Sequence, residues 1–283
     1  MKIFVLGSNG MLGRYVTAYL KRNYNVFTMT RQDVDIEKSD ITDFSNWYAI
    51  QNCDRDVMNN YRAIADKKYY ENVIINCAGL IKQKMTDADT AKAIKINSIF
   101  PHIMEYFCRR NYINFIHIST DCCFAGTKGN YIETDIPDAD DMYGITKIAG
   151  EPANATVIRT SIIGEGDFKG SLLEWVKSNN GGNINGFTNH LWNGVTCLQL
   201  AKAIEQIITN KSYWRGVRHY FSETVTKAQL VRDIAEVYGL DIRVTDCEAN
   251  IGVDRTLGTI YKDTPAKAPS IISQIKEQKD FLI

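Results

Sequence analysis

The segment MKIFVLGSNGMLGRYVTAYL places four apolar residues, Ile3 to Leu6, in an unbroken run and then spaces Leu12, Val16 and Leu20 as on one face of a helix. A short apolar run without polar alternation is the pattern of a strand covered on both faces, and the later spacing is that of an amphipathic helix. The alternation recurs. YNVFTMT (24–30), ENVIINCAG (71–79), NFIHIST (114–120) and ATVIRTS (155–161) predict strands, with helices predicted at 12–22, 43–50, 55–67, 88–110 and 143–150. Apolar strands alternating with helices predict an α/β fold of Rossmann type, a doubly wound parallel sheet. The regularity ends near residue 161. Past 166 the elements shorten, SNNGGNINGFTNHLWNG reads as the loosest loop, and helices are predicted near 197–209 and at 227–238.

Composition narrows the class. At 283 residues the chain holds one large domain or two intimate ones. Its 33 Lys and Arg balance 33 Asp and Glu, and a formal charge of zero argues against nucleic acid or an anionic membrane as the main partner. No apolar stretch approaches a membrane span. No leader pattern is expected ahead of the first strand, and the seven cysteines are an odd number without framework spacing. A cytoplasmic protein with free thiols is the expectation.

Between the first strand and helix lie Gly7, Gly10 and Gly13. In such a turn one glycine takes a backbone conformation that other residues avoid, another lets phosphate approach, and another lets helix pack on strand. Backbone groups of Gly7, Asn9, Gly10, Met11 and Leu12 are expected to hold a dinucleotide's pyrophosphate at the helix N-terminus. The spacing GxxGxxG is looser than GxGxxG, and the second strand ends in MTRQ without the acid that binds a ribose hydroxyl. Arg31 stands there, suited to a 2′-phosphate or simply a solvated surface arginine, so NADPH is expected with NADH left open.

Tyr143 and Lys147, in YGITK, are four residues apart and share a helix face. A phenol titrates near 10, and a neighbouring ammonium is expected to lower that value and make Tyr143 a proton donor. The plain alternative is a surface aromatic–lysine pair. Thr120, in ISTDCCF, falls at a strand's carboxyl end, where its hydroxyl can meet the same carbonyl oxygen.

These motifs resemble the extended short-chain dehydrogenases/reductases, and more narrowly the dTDP-4-dehydrorhamnose reductase family of nucleotide-sugar reductases. The resemblance is carried by GSNGMLG, DITD (40–43), NCAGLIKQ (76–83), INSIFPH (96–102), STDCCFAGTKGNYIETDIPDADDMYGITKIAGE (119–151), IRTSIIG (158–164), LLEW (172–175) and DRTL (254–257). It implies an NADP-binding domain over 1–165, to which roughly 194–212 returns, and a mainly substrate-binding region over 166–283. It also implies hydride transfer to C4 of a dTDP- or UDP-linked 4-keto-6-deoxyhexose of rhamnose or N-acetyl-rhamnosamine type. Tyr143 would donate the proton, Lys147 would hold the nicotinamide ribose, and Thr120 would orient the ketone.

By the same resemblance Asp40 and Ile41 border the adenine, Cys77, Ala78 and Gly79 line the cofactor, and Asn97 braces that region. Asp121, Trp192 and Arg255 face the substrate, and His190 covers the sugar or base. For Asp40 a helix cap, for Asn97 a buried amide serving the backbone, for Asp121 a local hydrogen bond, for Cys122 a small buried apolar residue, for Trp192 and His190 loop packing, and for Arg255 a surface ion pair remain open. Cys122 stands where the simplest rhamnose-forming reductases carry tyrosine, and related bifunctional enzymes place an acid–base cysteine nearby. A 3- or 3,5-epimerase/4-reductase is therefore one alternative, and a non-catalytic NADP-binding regulatory subunit is another. No carboxylate cluster for magnesium stands out, and a homodimer is left open.

Overall fold

The opening apolar run becomes β1 (Lys2–Leu6), and Ile3, Phe4, Val5 and Leu6 are all buried because helices cover both faces of the sheet. The computed structural model describes residues 1–42, 71–167, 169–262 and 268–283; the helices expected at 43–50 and 55–67 lie outside them. In chain order there follow α1 (Met11–Leu20), β2 (Asn25–Met29), β3 (Asn72–Asn76), α2 (Thr90–Ala93), a π-helical stretch (Ile94–Ile99), α3 (Phe100–Arg110), β4 (Ile113–Ile118), α4 (Met142–Ala149), β5 (Thr156–Arg159) and β6 (Ile162–Ile163). Then come α5 (Leu172–Ser178), β7 (Asn183–Phe187), β8 (His190–Trp192), β9 (Val195–Thr196), α6 (Cys197–Thr209), β10 (Gly216–His219), β11 (Val225–Thr226), α7 (Lys227–Tyr238), β12 (Arg243–Cys247), β13 (Val253–Asp254) and α8 (Ile271–Asp280).

Six strands pair in the order β10-β5-β4-β3-β1-β2, all parallel, which is the Rossmann-type sheet expected from the alternation. Because side chains alternate across a strand, the sheet feeds two cores. Ile3, Val5, Val73, Ile75, Ile116 and Ile118 pack with α1 and with Leu200, Ile204 and Ile207 of α6. Phe4, Leu6, Ile74, Phe115 and Val157 pack on the other face with Phe100, Met104 and Phe107 of α3. Strand order reverses between β1 and β3, and in such sheets ligands bind in the crevice outside the carboxyl ends at that switch point.

A smaller layer forms from the sheets β11-β8-β13 and β12-β7, with Leu173, Val176, Ile184, Trp192, Leu230 and Ile271 as its core. The segment read as the loosest loop thus carries β7 and β8. Its asparagines and glycines conceal an alternation in which Ile184 and Gly186 are buried, and parallel pairing of β7 with the distant β12 completes it. The sixth strand of the main sheet, β10, and the last helix, α8, were also not anticipated. No helix among the described residues is long and apolar enough to cross a membrane.

Candidate functional site

The glycine turn leaves β1 with Gly7 at φ +73°, a left-handed conformation, and a Cβ there would come within 2.8 Å of the Ala78 backbone. A Cβ on Gly13 would overlap the Gly7 carbonyl oxygen, so a bare α-carbon is what lets α1 start against the turn. Gly7 N donates to Met29 O at 2.9 Å, tying the turn to β2. α1 begins after Gly10 with no side-chain cap and no acidic residue in its first turn. Asn9 and Gly10 are exposed, and Met11 and Leu12 begin the helix. Uncapped amides at the positive end of a helix, beside a turn without side-chain bulk, fit a diphosphate.

The loop after β3 closes against this turn. Cys77 N donates to Leu6 O at 3.0 Å, Ala78 N to Asn76 Oδ1 at 3.0 Å, and Gly79 is exposed. Asn97 is buried and works on the backbone: Oδ1 accepts from Leu80 N at 2.8 Å, while Nδ2 donates to Leu80 O at 3.0 Å and to Thr146 Oγ1 at 3.2 Å. It thereby braces this loop against α4. Asn97 lies in the π-helical stretch, and Pro101 lacks the amide that an α-helix would aim at the Asn97 carbonyl.

Thr120 lies past the carboxyl end of β4. Its Oγ1 accepts from Cys122 N at 3.1 Å and donates to Asp121 Oδ1 at 3.2 Å, the Cys122 carbonyl lies against Gly144, the residue after Tyr143, and the Thr120 hydroxyl acts on the Tyr143 phenol. Asp141 starts α4, its Oδ1 accepting from Gly144 N at 2.8 Å, and Tyr143 and Lys147 follow on that helix. Thr120, Asp121, Cys122 and Tyr143 therefore meet at one place. Lys147 Nζ donates to Ile118 O at 2.8 Å, and its charge acts on Cys77, linking this cluster to the loop beside the glycine turn.

One expectation is not met. Burial pushes the Tyr143 phenol above its ordinary value, Cys122, Asp121 and Asp141 add to the rise, and Thr120 alone opposes it. Lys147 is not among the largest influences on the phenol, and its ammonium donates to the Ile118 carbonyl. Burial also pushes Lys147 down to about 8 and Cys122 up to about 12. Asp121 is raised by burial, against the charges of Lys227 and Arg255.

Other singled-out residues are placed as follows. Trp192 is buried, with Nε1 donating to Ser161 Oγ at 2.8 Å. Arg255 donates from Nε to Phe124 O at 2.7 Å, and its charge reaches Asp121 and Cys122. His190 is half-buried, its ring packed on Phe187 and its Nε2 at 3.2 Å from the Ile251 carbonyl. Arg31 is exposed and paired with Asp35 at 3.2 Å and Glu37 at 2.5 Å. Asp40 Oδ1 accepts from Thr42 N at 2.9 Å, the helix it was expected to cap lies outside the described residues, and Ile41 is buried in the second core. Among the described residues no group of three or more His, Cys, Asp or Glu is placed to hold a metal.

Lys227 joins these residues with no local motif to mark it. It begins α7, beside the N-cap Thr226, and its Nζ lies 5.2 Å over the Trp192 ring, with Asp121 and Cys122 acting on its charge. Only the pairing of β11 with β8 brings it there.

Three comparisons bear on this arrangement. The RmlD substrate binding domain family matches residues 1–251. A dTDP-4-keto-6-deoxy-D-glucose reductase of Streptomyces niveus is 31% identical over 166 residues, which are 56% of this chain and 51% of that protein, so the match spans about half of the relative's length. A dTDP-4-dehydrorhamnose reductase of Aggregatibacter actinomycetemcomitans is 26% identical over 239 residues, 78% of this chain and 74% of that protein. Among solved structures, a Bacillus anthracis dTDP-4-dehydrorhamnose reductase in complex with NADP superposes with a TM-score of 0.75 at 16% identity, covering 98% of each chain. It shares the fold.

Proposed function

This chain belongs to the RmlD substrate binding domain family, and from that premise we propose that it is an NADPH-dependent reductase of a dTDP- or UDP-linked 4-keto-6-deoxyhexose. The observation that carries the reading is the packing of α4, at Tyr143 and Gly144, against the Thr120–Cys122 turn beyond the carboxyl end of β4. Lys147 and Cys77 link that point to the glycine turn on β1. Bound NADPH would supply the hydride, with its diphosphate on the amides at the start of α1 and its ribose beside Lys147.

The chain's own groups do the rest. Thr120 Oγ1 and Tyr143 Oη converge on a ketone oxygen, and Tyr143 gives up its proton to that oxygen as it becomes a hydroxyl. A phenol raised by burial stays protonated at neutral pH, as a donor must. Lys147, held at about 8, carries its charge through the same range and falls neutral above it. Arg31 is the candidate for the 2′-phosphate and would exchange Asp35 and Glu37 for it. Arg255 and Trp192 line the substrate side.

A Cys122 thiol pushed up to about 12 is a poor base at neutral pH, which favours simple reduction over epimerisation. The presence of both Tyr143 and Lys147 favours an enzyme over a binding subunit. The test is direct. UDP-GlcNAc or dTDP-glucose is converted in situ by a 4,6-dehydratase, each with and without a 3,5-epimerase, and NADPH oxidation is followed on adding this protein. Stoichiometric oxidation with a 6-deoxyhexose product by NMR is expected; no oxidation with either ketone rejects the reading.

A further inference from the structure

Behind the candidate site lies a buried polar network that proton donation does not use. Glu151 follows the end of α4, and its side chain is 6% exposed. Its carboxylate accepts three hydrogen bonds, from Ser119 Oγ at 2.5 Å, Arg159 Nε at 2.8 Å and Arg159 Nη2 at 2.6 Å. The partners come from two other elements. Ser119 is the residue between the Ile118 carbonyl that holds Lys147 and the Thr120 hydroxyl, and Arg159 closes β5. Arg159 is itself pinned, with its guanidinium 5.4 Å from the centre of the Phe124 ring.

We propose that Glu151 is a positioning residue for the reduction: clamped by Arg159 and Ser119, it locks the end of α4 onto the carboxyl ends of β4 and β5, and so fixes Lys147 and Thr120 relative to each other. The inference rests on the reductase reading above. A buried ion pair is a poor device for stability, since apolar side chains of similar volume serve as well. What a two-pronged guanidinium–carboxylate contact supplies is direction, because the planar fork sets the plane of the carboxylate. Here that plane is also set by Ser119, one residue from Thr120.

The charge acts in the same sense. Burial disfavours the Lys147 ammonium, and the Glu151 carboxylate is the largest influence opposing that, followed by Cys77. Of the other groups facing Lys147, His117 on β4 is held neutral by burial. Glu151 is thus the fixed negative charge that keeps Lys147 protonated at neutral pH.

The experiment follows the lysine directly. In protein labelled with 13Cε-lysine, the Lys147 resonance is assigned by its loss in Lys147→Met, and its titration is compared in wild type and Glu151→Gln. The midpoint is expected to fall by roughly one pH unit or more in the variant. With the keto-sugar nucleotide, kcat is expected to drop at least tenfold, KM to change little, and the alkaline limb of the pH profile to move to lower pH. A purely structural Glu151 would lower the melting temperature and leave midpoint and pH profile where they were. That result in folded Glu151→Gln overturns the proposal.

If Glu151→Gln does not fold, the apolar pair Glu151→Leu with Arg159→Met restores packing and is read in the same way. Reduced kcat with a lowered midpoint is expected, whereas wild-type kcat and midpoint overturn the proposal. The titration needs no turnover. A wild type that reduces neither ketone is therefore a separate outcome, which overturns the reductase reading on which this role depends.

Discussion

Tyr143 shows how far a residue's chemistry depends on what surrounds it. Spacing alone puts a phenol and an ammonium on one helix face, and a lowered phenol would follow if the two faced each other in water. In the fold the ammonium turns to the Ile118 carbonyl and burial governs the phenol. Tyr143→Phe removes only the hydroxyl, so NADPH affinity measured by fluorescence titration should stay near wild type. The reduction rate should fall by about 10²–10⁴. Gly13→Ala tests the turn: the added methyl overlaps the Gly7 carbonyl oxygen, and the expected cost is about 1–3 kcal/mol. Denaturant unfolding and weakened NADPH binding would report it together. Residues of this kind were legible because their signals are local, a glycine spacing or an i to i+4 pair. Glu151, Arg159 and Lys227 were not, since each acquires its meaning from a partner brought by the tertiary fold.

Elements were legible where hydrophobic pattern alone sets them. β1, β3 and β4 are short apolar runs because both faces are covered, and α6 and α7 read cleanly from their periodicity. β7 and β8 escaped notice because Asn- and Gly-rich strands carry little intrinsic strand preference and depend on pairing across the smaller layer. The π-helical stretch was invisible to a reading that assumes one helical period. Two elements give quantitative tests. Asp141→Ala removes the side-chain acceptor at the start of α4, which should cost about 1 kcal/mol and lower the melting temperature, with a larger loss in turnover than in stability because Tyr143 sits in the first turn. Ile204→Ala empties a buried site on α6 facing the sheet, and about 2–5 kcal/mol of unfolding free energy should go with it.

At the scale of the molecule, acid sensitivity is built into two histidines. His117 is fully buried against Asn76, and His219 packs beside Phe124 with Nδ1 near the Tyr131 and Gly258 carbonyls. Burial lowers both below their ordinary value. A group lowered on folding binds its proton more readily in the unfolded chain, so its stabilising contribution is complete above about pH 6.5 and is lost as pH falls below it. The slope reaches about 1.4 kcal/mol per pH unit for each histidine. Chemical denaturation at pH 7.5 and 5.5 should show the loss, and His117→Asn should reduce it. A last consequence comes from α6, which covers the same face of the main sheet as α1 although it lies far along the chain. During synthesis Leu12, Tyr15, Val16 and Leu20 emerge early, and the helix that shelters them is completed only at Thr209. At about 5–20 residues per second, the ribosome exposes that greasy stripe for roughly ten seconds or longer before its cover arrives. A nascent fragment halted in that interval should be a client of holding chaperones, and a release after Thr209 should free it.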